Sequence, residues 1–160
     1  MTTTTTTFQV VGLPAERFAE LATLTPEQLA ARGVKRVIAD DKPGFPCRVS
    51  LRDADVGEPV WLLHHVHHDV KGPYRASGPI YVREHAVAEH FAPGEVPELL
   101  RVRLLSVRAY DAQAMLVEAD VTQGTELEAV VTRMFANPDV AYLHVHNAKP
   151  GCFNCVIERA

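Results

Sequence analysis

The chain has 160 residues, 47% apolar and 22% charged, with a formal net charge of -4 at pH 7. That length and balance fit one globular domain with a sizeable core. The 16 lysines and arginines form no basic stripe, and no apolar run reaches membrane-spanning length, which argues against nucleic acid and membranes as partners.

Residues 1–7, MTTTTTT, lack the basic start and apolar core of a signal peptide and are too polar to pack. They read as a frayed tail before a single domain over 8–160, with the cytoplasm as the expected compartment. In that reducing setting three cysteines point to metal binding, catalysis or burial rather than to a disulfide framework.

In chain order, Phe8 to Val11 reads as a short strand and Pro14 to Leu21 as a short helix with Phe18 and Leu21 on one face. LTPEQLAARG carries a full set of helix signals: Thr25 and Gln28 as a capping box, Pro26 in the first turn and Gly33 as the stop. Val34 to Ala39 is a strand, and DDKPGFPC is a turn. Cys47 to Leu51 alternates as a strand, with Cys47, Val49 and Leu51 on one face and Arg48 and Ser50 on the other. Pro59 to His67 is the most apolar strand. A loop over 69–79 leads into a strand at Ile80 to Arg83, and a second loop over 91–97 leads into a helical turn at Glu98 to Arg101.

Leu104 to Tyr110 and Met115 to Val121 read as a hairpin, with the apolar faces formed by Leu105, Val107 and Ala109 on the first strand and Met115, Val117, Ala119 and Val121 on the second, and with Ser106, Arg108, Tyr110, Glu118 and Asp120 on the opposite faces. TELEAVVTRMFANP is the clearest helix. Thr125 and Glu128 offer a capping box, Leu127, Val130, Val131, Met134 and Phe135 form an apolar stripe, and Asn137-Pro138 stops it. Val140 to His146 and Phe153 to Ile157 close the chain as strands. Strands outnumber helices and are joined by turns too short for a crossover. The expected fold is therefore α+β, a mainly antiparallel sheet with a few packed helices, whose strand order the sequence does not fix.

The chemistry concentrates in YLHVHNAKPGCFNC, residues 142–155. Residues two apart on a strand share a face roughly 6.7 Å apart, so His144 and His146 can converge on one ion at the roughly 2.0–2.1 Å that zinc requires. Cys152 and Cys155 point to opposite faces if extended and meet only if PGCFNC turns tightly. Three readings stay open: a zinc site of His144, His146, Cys152 and Cys155, a thiol redox pair, or a plain hairpin. The order of the motif matches neither the common zinc-finger spacing nor a thioredoxin-like setting.

WLLHHVHHD at 61–69 is the second histidine run, and six of the eight histidines fall in the two runs. It reads as a strand leaving the core at a wet edge, its charge sensitive to pH near the ordinary imidazole value of about 6.5. The alternative is a site shared with His144 and His146 on a neighbouring strand. Arg48, Arg75 and Arg108 are the candidate anion-binding residues, with Ser77 beside Arg75 in a Gly/Pro-bounded segment. Asp53 and Glu84 are acidic neighbours that could satisfy such arginines instead. Ser77 lacks the local motif of a catalytic serine.

DKPGFPCRVSL, PYRASGPIYVRE, LLSVRAYDAQAMLVEADV and AYLHVHNAKPGCFNC together resemble a bacterial family known only as domain of unknown function 1203. The resemblance implies a small stand-alone bacterial cytoplasmic protein with no assigned activity and carries over no catalytic residue. The HHVHH run stands outside the family pattern. The residues themselves suggest a polar pocket of Arg48, Arg75, His144, His146 and the Cys152/Cys155 turn. It would take a divalent metal such as zinc or a small anionic molecule. A non-enzymatic thiol module and a plain interaction domain are the alternatives. No feature of the sequence fixes a reaction or an oligomeric state.

Overall fold

Alternating apolar residues and short connections commit the strands of this chain to antiparallel pairing. A computed structural model describes residues 7–160, so all of the polar segment 1–7 except Thr7 lies outside the described residues. Among the described residues eight strands form two sheets. The larger has the order β1 (Phe8–Val11), β8 (Phe153–Arg159), β7 (Tyr142–Asn147), β5 (Leu104–Tyr110), β6 (Leu116–Gln123). The smaller has the order β2 (Lys35–Ile38), β3 (Pro59–His68), β4 (Ala76–Arg83). All strand pairs are antiparallel, and the result is a single α+β domain.

One face of the larger sheet carries the main core. The apolar stripe of α3 (Leu127–Phe135) lies in one buried cluster with Leu105, Val107, Leu143, Val145 and Ile157. The short α2 (Glu98–Arg101) adds Leu99 and Leu100 to this core. Gly124 makes the junction possible, because a Cβ there would lie 1.8 Å from the Leu100 carbonyl oxygen. A second core joins the smaller sheet, through Trp61, Ile80 and Val82, to Phe18, Leu21 and Leu29 of the N-terminal region. There α1 (Pro26–Ala31) has the Thr25/Gln28 capping box and ends before Gly33 at φ +72°.

Five local expectations change. In place of one short helix over Pro14 to Leu21 there are two 3-10 turns, Ala15–Arg17 and Ala19–Thr23. Residues 47–51 are not a strand: Leu51 N–H donates to the Cys47 carbonyl at 3.0 Å, and Leu51 has φ +53°. Their alternation has another cause, since Cys47 and Val49 pack in the second core and Leu51 in the first. The chain re-enters a strand at Ala76 rather than Ile80. Thr125 and Glu128 form no capping box, because a single 3-10 turn over Gly124–Glu126 precedes α3 and Glu128 pairs with Arg101. In the β5–β6 hairpin Val121 lies opposite Ser106, and Ala119 opposite Arg108. Glu118 and Asp120 therefore share the helix face, where both reach Arg133 of α3.

Candidate functional site

The segment 142–159 is a hairpin whose bulge decides the fate of its sulfurs. Asn147 N–H donates to the Cys152 carbonyl at 2.8 Å, and Gly151, at φ +82°, closes the turn. Val145 lies opposite Cys155 and His146 opposite Phe153, so Asn154 is the extra residue of a β-bulge. The bulge moves Phe153 onto the histidine side of the sheet while Cys155 stays on the helix side with Val145. Cys155 is fully buried, and burial pushes its thiol up to about 12. Cys152 is only half-buried, and its sulfur accepts Asn147 Nδ2–H at 3.3 Å.

His144 and His146 share the other face, as their spacing predicts, opposite Arg108 and Ser106 of β5. Cys155 is across the sheet from them, so the expected quartet of His144, His146, Cys152 and Cys155 is not brought together. What joins the two histidines is the end of β3. A register shift between Val66 and His68 turns both His67 and His68 toward β7. The wet-edge expectation for HHVHH therefore fails at these two positions.

The ring centroids of His67 and His146 are 5.0 Å apart, and those of His68 and His144 are 4.8 Å apart. His67 stacks on Phe153 at 4.9 Å with an interplanar angle of 7°. Burial pulls His67 down to about 4, His144 to about 3 and His146 to about 4, with neighbouring imidazoles and Arg108 acting in the same direction. All three rings are therefore neutral at pH 7, and they do not supply the charge change near pH 6–7 expected of the run.

The second feature is a cavity of about 520 Å³ beside the 147–152 turn, lined by Arg48, Tyr81, Arg103, Asn147, Lys149 and Cys152 among others. Arg48 is 1% exposed. Its Nε–H donates to the Phe153 carbonyl at 2.7 Å and its Nη1 to the Pro46 carbonyl. Among the described residues no carboxylate lies within ion-pair distance of it. Burial lowers its pKa, and the Cys152 sulfur beside it acts in the opposite direction. Arg103, by contrast, is neutralised by Asp53 through two hydrogen bonds of 2.8 and 2.6 Å.

The other candidates are dispersed. Arg75 is exposed and pairs with Asp69, while Ser77 is an exposed residue of β4 opposite Val66. Arg108 faces the histidines and donates from Nε to Ser106 Oγ at 3.4 Å. Sequence reasoning did not single out Arg103 and Lys149, and it weighed the β3 histidines only as the alternative of a site shared with His144 and His146. Lys149 lies within residues 142–155, but only the folded turn places it on the same cavity as Arg48.

A family model described as protein of unknown function (DUF1203) matches residues 44–159, and the chain belongs to that family. No curated protein and no solved structure matches the chain.

Proposed function

We propose that this member of the family binds a small organic anion, a carboxylate or phosphate, in the cavity between Arg48 and Lys149. The observation that carries the reading is Arg48, a buried guanidinium with two carbonyl partners and, among the described residues, no carboxylate. A charge removed from water is costly unless an opposite charge compensates it. Guanidinium is also the side chain best shaped to hold carboxylate or phosphate oxygens. The cavity volume falls in the range of small-molecule pockets, roughly 300–1,000 Å³. Lys149 adds an exposed cation at its rim, Asn147 an amide, and Tyr81 and Leu104 apolar wall. An anion with a short apolar body fits this combination.

Cys152 gives the site a second possible use. Its sulfur sits next to Arg48, is only half-buried, and accepts from Asn147 Nδ2–H at 3.3 Å. The thiol alternative therefore rests on Cys152 alone, with Cys155 sealed in the core.

Calorimetric titration of the full chain with inorganic phosphate and with short carboxylates tests the reading. Saturable binding is expected. Arg48→Met should weaken it by roughly 30-fold or more, the equivalent of about 2 kcal/mol for losing one partner of a buried charge pair. Heat signals that are absent, or unchanged by Arg48→Met, would overturn it.

A further inference from the structure

The histidines meeting between the two sheets offer a different chemistry. His67, His144 and His146 have ring centroids 5.0, 6.2 and 6.4 Å apart. His67 Nδ1, His144 Nδ1 and His146 Nε2 are buried without a hydrogen-bond partner among the described residues. A buried polar nitrogen left without a partner is costly, so three in one cluster require an explanation.

His68 is a useful contrast. Its Nδ1–H donates to the Tyr74 carbonyl at 2.7 Å, and the Tyr142 hydroxyl donates to its Nε2 at 2.6 Å. Both of its nitrogens are used, and it serves as wall. His146 differs in an informative way. Its Nδ1–H donates to the Gly151 carbonyl at 2.9 Å, which leaves Nε2 with a free lone pair. A backbone carbonyl fixing one imidazole nitrogen so that the other presents its lone pair is the usual outer support of a metal-bound histidine. The stacked Phe153 ring holds the plane of His67 in the same way that packing holds a preorganised ligand.

We infer that His67, His144 and His146 form a three-imidazole site for a borderline divalent transition ion, with zinc the expected occupant. Three imidazoles around a tetrahedral ion at roughly 2.0–2.1 Å place their ring centroids about 5 Å apart. One pair already has this spacing. The other two are about 1 Å wide, consistent with no three donors converging at ligand distance among the described residues. Binding therefore requires χ rotations of the rings that close this gap. Neutral nitrogen donors without carboxylate or thiolate favour zinc, nickel or copper over magnesium and calcium. Three protein ligands leave a position for water or an anion. Arg108, paired opposite His144 and without a carboxylate partner among the described residues, is placed to favour an anion there. This site shares no residue with the Arg48 cavity, so each reading stands or falls alone.

The test is titration of the full chain, purified with chelator and then freed of it, with zinc and with cobalt. One equivalent of each is expected. The cobalt complex should show visible d–d bands without a thiolate-to-cobalt charge-transfer band. Cys152→Ser and His68→Phe should retain the equivalent. His67→Ala should weaken binding by at least about a hundredfold, beyond what losing an outer orienting partner costs. Two results would overturn the site. One is folded parent protein that takes up neither metal at micromolar concentration. The other is a charge-transfer band that disappears in Cys152→Ser.

Discussion

Cys152 and Cys155 are three residues apart in sequence and chemically far apart in the fold. One lines a cavity beside a guanidinium, while the other is sealed against Val145 with its thiol held near 12. Ellman's reagent should therefore label Cys152 in the native protein and reach Cys47 and Cys155 only after unfolding, since both are fully buried. Rapid labelling of two or three thiols would contradict this placement. Cys155→Ser should lower stability by about 1–3 kcal/mol in urea melts, because the hydroxyl is left in an apolar core. At this scale the sequence was a fair guide to residue type. Arg48, His144, His146 and Cys152 stand out by chemistry alone. That Arg48 is buried without a counter-charge depends on contacts made more than a hundred residues away, at Phe153, and no local pattern encodes it.

Elements were legible where the periodicity was strong. The stripe of α3 and the capping box of α1 appear as their spacing predicts. The capping box expected at Thr125 does not form, because a 3-10 turn takes the place of the helix start. The two threonines should then separate by experiment. Thr25→Ala should cost about 1 kcal/mol and Thr125→Ala less than about 0.5 kcal/mol, in denaturant midpoints. Equal losses would mean that Thr125 caps after all. Gly124→Ala should cost about 1–3 kcal/mol by overpacking against Leu100, where a Cβ meets a backbone oxygen rather than a flexible side chain. The irregularities in β3 and β8 were illegible for a physical reason. A bulge adds one residue to one strand, and only the partner strand reveals it. Yet those irregularities turn His67 and Phe153 toward β7 and split the two cysteines.

The whole molecule is two sheets that share buried imidazoles. The antiparallel α+β class followed from short connections, whereas the strand order, which places β7 between β8 and β5, is a property of long-range packing. Burying neutral histidines has a consequence for acid stability. Unfolding releases His67, His144 and His146 to protonate near 6.5, while in the folded chain they resist protonation down to about 4, 3 and 4. Between these values the unfolded chain binds more protons, so this contribution is complete above about pH 6.5 and is lost as pH falls toward 4. With chelator present, the urea midpoint should drop between about pH 7.5 and 5.5, where ordinary carboxylates remain ionised. A flat profile would mean that the rings are hydrated and titrate normally.

The measurement that bears most directly on the proposed function is calorimetric titration of phosphate and short carboxylates into the parent protein, Arg48→Met and Arg48→Lys. The buried guanidinium, without a carboxylate partner among the described residues, predicts saturable binding by the parent, a weaker complex with Arg48→Lys, which keeps the charge but loses the fork, and one weaker by roughly 30-fold or more with Arg48→Met. Equal binding by all three proteins, or by none, would contradict an anion site at Arg48.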